Sequence, residues 1–161
     1  MAHPLGNRGR VLKVQTLRLQ ALSGCLCLLG AALAQAHGVK TKTIEIVHPW
    51  TYETSGIVEP TVAVFVKLKN HSRQSDRLLG AETALATAVE LHDAPRPGSG
   101  LSQRVASLEI KAGQDVELSP SGYRLRLTGV KKAFSAYDTF PVTLVFARAG
   151  KVEIDVLVEE K

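Results

Sequence analysis

The ten residues Thr61-Val62-Ala63-Val64-Phe65-Val66-Lys67-Leu68-Lys69-Asn70 carry the pattern that decides the fold. Apolar side chains occupy every second position from Val62 to Leu68, whereas Lys67 and Lys69 fall between them. Successive side chains of an extended strand point to opposite faces, so one face of this segment is apolar and the other is partly charged. The period of two residues predicts a half-buried β-strand.

The same period recurs towards the C-terminus. Residues 151–159 carry apolar side chains at alternate positions, and Ala149-Gly150 joins them to a second apolar run at residues 140–146, which predicts a β-hairpin. Shorter strands are predicted at residues 43–47, 77–81, 86–92, 114–118 and 123–128. Roughly eight short strands without a helical period predict an all-β fold, an antiparallel β-sandwich or barrel.

The first 36 residues have the layout of a secretory signal peptide. A basic segment up to Arg18 precedes an apolar run from Leu19 to Leu33, and Ala34-Gln35-Ala36 forms a small-x-small cleavage site. A membrane-spanning helix needs about twenty apolar residues, more than this run provides. We therefore predict cleavage after Ala36, a mature domain of residues 37–161, and no transmembrane anchor in that domain.

Residues Leu22-Ser23-Gly24-Cys25 imitate the cysteine-containing signal of bacterial lipoproteins. The residues after Cys25 form the apolar core of the signal and would begin a soluble domain poorly, so we favour a cleaved signal peptide. Cys25, Cys27 and the single methionine, Met1, all lie in this segment. The mature domain is therefore predicted to contain no disulfide, thiolate or thioether.

The charge of the chain is distributed unevenly. The formal net charge is +5, but four basic residues lie in the first eighteen positions and every acid follows position 44. Removing those four basic residues from the net charge of +5 leaves +1 for the mature domain. A nearly neutral domain does not favour binding to nucleic acid.

A histidine ends one of the predicted strands, where Val89-Glu90-Leu91-His92 leads into a loop rich in Pro and Gly. Taken alone, this position is typical of a hydrogen-bonded surface histidine. Arg124 and Arg126 share one face of a later strand, and their simplest interpretation is a solvated face paired with Asp93 or Glu90. No arrangement of nucleophile and base is visible in the sequence, so an enzyme is not predicted.

Several collinear stretches of the mature part match one family pattern: His48–Trp50, Asp76–Ala81, Val89–His92, Leu108–Ile110 with Ala112-Gly113, Val116–Leu118, Gly122-Tyr123, Leu127–Lys131 and the closing hairpin. Through these stretches the mature part resembles the PCu(A)C family of periplasmic copper chaperones, which have a cupredoxin-like β-sandwich. The resemblance implies an extracytoplasmic copper-binding protein that delivers copper to the dinuclear centre of cytochrome oxidase, through an oxidase assembly component or another periplasmic copper protein.

The resemblance implies a copper site of two histidines and two methionines, a ligand set that favours Cu(I). Carried over to this sequence, the first histidine falls on His92 and one methionine position falls on Ser102. The His-x-Met pair falls on Arg124 and Arg126. The ligand motif is therefore predicted to be degenerate.

The two arginines oppose a cation at this position. A cation about 5 Å from one guanidinium is repelled by roughly 3 kcal/mol at an effective dielectric constant of 20. We therefore expect weak or altered copper binding, with His92 and His37 as the candidate ligands; the amine and imidazole of His37 would chelate Cu(II) once the signal is cleaved. The alternative is a metal-free binding module that uses Arg124 and Arg126 to hold an anion or an acidic partner.

Overall fold

The fold is described by a computed structural model that covers residues 38–54 and 56–161. Within these residues it contains ten strands and no helix, which confirms the all-β prediction. The strands are β1 (Val39–Lys40), β2 (Ile44–Tyr52), β3 (Thr61–Asn70), β4 (Asp76–Glu82), β5 (Ala88–His92), β6 (Leu108–Ile110), β7 (Asp115–Leu118), β8 (Arg124–Thr128), β9 (Thr139–Phe146) and β10 (Lys151–Glu159).

The strands form one sheet in the order β5-β8-β3-β2-β10-β9-β4-β6, with β1 beside β2 and β7 beside β3. Strand β5 lies at one end of this order and β4 lies near the other end, yet the two strands are in contact. The sheet therefore curls into a nearly closed barrel. The predicted C-terminal hairpin of β9 and β10 is present. All of the strand pairs are antiparallel except β2 with β10, which run parallel through Trp50 and Leu157.

Strand β3 lies at the centre of the sheet. It pairs with β2 along one edge, while its other edge pairs first with β8 and then with β7. Val64 lies opposite Leu125 of β8, and both side chains are fully buried. Burial of an aliphatic side chain contributes about 1.5–3 kcal/mol, so the predicted apolar face of β3 supports the whole core.

The middle of β2 contains an irregularity that the sequence does not predict. The register with β3 shifts between Val47 and Trp50, and His48 adopts a positive φ of 50°. After the shift, Trp50 lies opposite Phe65, with their ring centroids 4.7 Å apart. Bulges of this kind redirect side chains, and here Trp50 packs on the outer side of the sheet, against Phe65 and Tyr52.

The signal peptide, the lipoprotein-like signal, both cysteines and His37 lie outside the described residues. In the part of the chain that the structure describes, we find no helix with the length and apolar character needed to cross a membrane.

Candidate functional site

The candidate site lies on the outer side of β5 and β8. His92 is the cross-strand partner of Arg124, and Glu90 is the cross-strand partner of Arg126. Directly opposed residues of an antiparallel pair project from the same face, which here is the face opposite buried Leu91 and Leu125. We call the surface formed by Glu90, His92, Ser102, Arg124 and Arg126 the arginine face.

His92 is held inside this surface rather than exposed on it. The residue is 5% exposed, so the interpretation as a surface histidine is wrong. Its Nδ1 lies 3.1 Å from Ser102 Oγ and its Nε2 lies 3.1 Å from Glu90 Oε2. An ionised Glu90 accepts the proton of Nε2, and Nδ1 forms its hydrogen bond with the hydroxyl of Ser102. Both ring nitrogens are therefore engaged.

Ser102 reaches His92 because residues 102–105 return along the edge of β5. The amide of Asp93 donates to the carbonyl of Gln103 at 2.9 Å, and the amide of Val105 donates to the carbonyl of Leu91 at 2.8 Å. The carboxylate of Asp93 also accepts a hydrogen bond from the amide of Gln103. These contacts close the Pro/Gly loop and fix the position of Ser102, which sequence periodicity could not locate.

Glu90 lies at the centre of the charges on this face. Arg104 Nη1 is 3.5 Å from Glu90 Oε1, on the side away from the histidine contact. The hydrogen bond from His92 holds the pKa of Glu90 below its usual range; burial opposes this effect, and the positive charges of Arg104, His92 and Arg126 add to it. Glu90 is thus stabilised as an anion.

The two arginines do not pair with the predicted carboxylates. Among residues 38–54 and 56–161, neither Arg124 nor Arg126 has a carboxylate oxygen within 4.0 Å of its guanidinium. Arg124 Nη2 instead donates to the carbonyl oxygen of Pro120 at 3.0 Å, and its buried Nε has no hydrogen-bond partner there. The internal ion pairs to Asp93 or Glu90 predicted as the simplest alternative are therefore not formed.

An open cavity of about 340 Å³ lies beside these guanidinium groups. Its lining combines positive charge, two hydroxyl groups and apolar side chains. The lining residues are Thr61, Ala63, Gly100, Leu101, Ser102, Arg124 and Arg126. The cavity brings Ser102, Arg124 and Arg126 together, and the hydrogen bond of Ser102 adds His92, so the four positions to which the resemblance assigns copper ligands are neighbours in space.

The sequence of the folded part matches a known family. The family model for lipoproteins of the LpqE-like type matches residues 44–158, from the first residue of β2 almost to the end of β10. The chain belongs to the LpqE-like family. Among curated proteins, no match to this LpqE-like chain was found.

Solved structures similar to this LpqE-like chain include PCuAC domains. The copper-bound PCuAC domain from PmoF2 is 26% identical, with a TM-score of 0.68, over 78% of this chain and 99% of that domain. The apo PmoF2 domain is 28% identical, with a TM-score of 0.64, over 77% and 95% of the two chains. The Cu(I) form of DR1885 from Deinococcus radiodurans, 23% identical with a TM-score of 0.56 over 80% and 85%, shares the fold. These matches confirm the predicted PCuAC resemblance and cupredoxin-like fold.

The donor set of the LpqE-like chain does not fit a Cu(I) site on the arginine face. Cys25, Cys27 and Met1 are the only sulfur-containing residues of the sequence, and all precede residue 38, where the described part of the structure begins. Within the described residues, no group of three or more His, Cys, Asp or Glu side chains could hold a metal ion. The face offers one imidazole, whose two nitrogens are already hydrogen-bonded, beside two guanidinium groups.

Proposed function

We propose that this chain takes part in copper handling outside the cytoplasm, in the periplasm, but binds copper weakly or in an altered way. Membership of the LpqE-like family and similarity to the copper-bound domain from PmoF2 support the role in copper handling. The environment of His92 carries the proposal that copper binding is weak or altered. Its neighbours at the other expected ligand positions are Ser102, Arg124 and Arg126. Delivery to a cytochrome oxidase assembly component or another periplasmic copper protein belongs to this proposal by resemblance.

The residues of the arginine face work against a metal cation. Freeing one nitrogen of His92 would break its hydrogen bond to Ser102 or to Glu90. Arg124 lies directly opposite, and its positive charge would repel a cation bound to the imidazole. In this proposal the copper site is therefore at the processed N-terminus, where the amine and imidazole of His37 would chelate Cu(II).

Titration of the purified mature domain with Cu(I) and with Cu(II), each in competition with a chelator, tests this proposal. We expect negligible Cu(I) binding and weak Cu(II) binding that depends on His37 and falls as histidines protonate below roughly pH 6.5. The matched control is a chain that lacks His37 but keeps the arginine face. Tight Cu(I) binding by that shortened chain would contradict the proposal.

The site of processing also needs a direct measurement. Cleavage after Ala36 would leave His37 as the first residue, whereas the lipoprotein name of the family favours a lipid-modified Cys25. The intact mass of the exported protein distinguishes the two outcomes. A lipid on Cys25 would place His37 inside the chain and remove the proposed Cu(II) site.

We further propose that the role is not enzymatic, although Ser102, His92 and Glu90 form a hydrogen-bonded series similar to the groups that activate a serine nucleophile. The sequence did not predict this contact. The PCuAC relatives support a binding role instead. We expect Ser102→Ala to leave any background hydrolysis of p-nitrophenyl acetate unchanged; a fall to the uncatalysed rate would overturn this assignment.

A second candidate function is the binding of an anion or an acidic partner by the arginine face. The observation in its favour is that Arg124 and Arg126 border an open cavity, and that among residues 38–54 and 56–161 neither guanidinium has a carboxylate oxygen within 4.0 Å. Guanidinium groups bind carboxylate, sulfate and phosphate oxygens in bidentate geometry, and the hydroxyl of Thr61 lines the same cavity. Calorimetric titration with sulfate at low and high salt concentration tests this candidate directly.

A further inference from the structure

The outer side of the sheet continues from the arginine face into a second groove. This groove has a volume of about 410 Å³, and its lining includes Tyr52, Glu53, Ile57 and Glu59. Thr61 and Ala63 of β3 line both this groove and the cavity beside Arg124 and Arg126. The two depressions therefore adjoin across the first half of β3 and form one continuous surface, which we call the β3 surface.

The two ends of the β3 surface carry opposite charges. Glu53 and Glu59 line one end and Arg124 and Arg126 line the other, while Lys161 lies at the acidic end as a single opposing charge. None of these two glutamates and two arginines forms an ion pair within 4.0 Å in the part of the chain that is described.

Some exposed charges elsewhere on the domain form local ion pairs. Lys151 lies 2.7 Å from Glu82, and Lys67 lies 3.3 Å from Asp115. On the β3 surface, by contrast, the acidic and basic side chains line open grooves at opposite ends and do not face each other.

Exposed apolar side chains border the same surface. Ile57 is 63% exposed at the acidic end, and Leu101 is 70% exposed at the basic end. Between them, the small side chains of Thr61 and Ala63 leave room for close approach of another backbone. Apolar groups at both ends with small residues between them suit a contact that removes this surface from water.

We propose that the β3 surface binds a second copy of this chain about a two-fold axis near Ala63. A two-fold axis that lies in the plane of contact, perpendicular to the line joining the two ends, places the acidic end of each copy on the basic end of the other. Glu53 and Glu59 of one copy then meet Arg124 and Arg126 of its partner. This inference rests on the proposed binding of an anion or acidic partner by the arginine face, and it identifies that partner as the acidic end of a second copy. The mature domain carries little net charge, so repulsion between copies does not oppose their association.

Sedimentation velocity with two charge-reversed forms of the mature domain tests the proposal. One form carries Arg124→Glu with Arg126→Glu, and the other carries Glu53→Lys with Glu59→Lys. We expect the wild type to dimerise at micromolar concentrations and to dissociate more readily at high salt, because ion pairs at the edge of a contact are screened. Each charge-reversed form alone should be monomeric under the same conditions.

An equimolar mixture of the two forms should dimerise again, because every charge of one form then meets the opposite charge of the other. Arg73→Glu with Lys111→Glu is the matched control for the arginine form; it changes the net charge by the same amount and in the same direction, at exposed positions away from the β3 surface, and should dimerise like the wild type. Circular dichroism verifies folding of each form. If the arginine form does not fold, the glutamate form alone still tests the contact.

Three outcomes would overturn the inference: a monomeric wild type at high concentration, charge-reversed forms that still dimerise, or a mixture that stays monomeric. Sulfate binding is measured on the same wild-type sample. It distinguishes a wrong dimer proposal from an arginine face that does not bind anions. A monomer that binds sulfate at Arg124 and Arg126 would keep the anion-binding role with a different acidic partner. A dimer that does not bind free sulfate would be consistent with guanidinium groups already covered by the second copy, and sulfate binding should then appear in the Glu53→Lys, Glu59→Lys form.

Discussion

The two faces of strand β8 differ in chemistry and in exposure to solvent. Leu125 and Leu127 point inward and are fully buried, whereas Arg124 and Arg126 alternate with them on the outer side and border an open cavity. The inward face maintains the barrel, since its side chains pack against β3 and β5. We expect the outward side chains to tolerate substitution, because they do not pack in the core. The PCuAC fold is therefore compatible with different side chains on this outer surface.

The largest effect should follow from placing a charge on the inner face. Val64→Asp puts an unpaired carboxylate in the fully buried centre of β3, which costs several kcal/mol and should prevent stable folding. The matched control is Ala63→Asp, one residue away on the outer side and opposite Arg126, which should change the free energy of unfolding by about 1 kcal/mol or less. Thermal unfolding followed by circular dichroism measures both. Equal melting of the two variants would mean that the faces are not distinct.

The next largest effect should be a gain of copper binding on the outer face. The combined changes Ser102→Met, Arg124→His and Arg126→Met would restore the ligand types that the resemblance implies beside His92. We expect Cu(I) affinity to rise at least about a hundredfold, or roughly 2.7 kcal/mol, without a loss of fold. Glu153→His with Asp155→Met provides the control, because it creates the same spacing on β10 far from His92 along the sheet order. If the restored protein still does not bind Cu(I), the assignment of positions 102, 124 and 126 to the copper ligands of the family is wrong.

A smaller effect is expected when the arginines are neutralised. Arg124→Ser with Arg126→Ser should abolish sulfate binding and its dependence on salt, since the positive charge beside the cavity is removed. The free energy of unfolding should change by only about 1 kcal/mol, as expected for side chains outside the core. Calorimetry measures binding and chemical denaturation measures stability. Arg73→Ser with Lys111→Ser removes the same charge elsewhere, and sulfate binding that falls equally there would point to a general charge effect.

The smallest effect concerns the acid sensitivity of the outer face. Because the pKa of Glu90 is lowered in the folded protein, chiefly by its hydrogen bond with His92, the unfolded chain takes up a proton more readily at this residue. Ionised Glu90 therefore stabilises the fold above roughly pH 4, and this contribution is lost as the pH falls through its lower folded pKa. Glu90→Gln should lose less stability between neutral and acid pH than the wild type. Glu45→Gln provides a comparison on β2, where His71 lowers the pKa of Glu45 in the same direction.

The strands were largely predictable because alternation is a local property. The segment Thr61–Asn70 is β3 with the predicted bounds, and the hairpin of β9 and β10 follows its apolar period. Strands β1 and β6 were missed because two or three residues are too few to show a period. The parallel pairing of β2 with β10 was not predictable either, since it joins segments about a hundred residues apart.

The sequence by itself determined which chemistry the domain lacks and which side chains share a face. No sulfur ligand remains after Cys27, and alternation places Arg124 and Arg126 together on one side of their strand. Only the tertiary structure decided what those side chains meet. Three features depend on strand register and on the return of the Pro/Gly loop: the burial of His92, its hydrogen bonds to Ser102 and Glu90, and the lack of an ion pair within 4.0 Å for Arg124 and Arg126 in the described residues. Register and loop closure arise from contacts between distant segments, whereas the alternation of side chains is fixed by neighbouring residues.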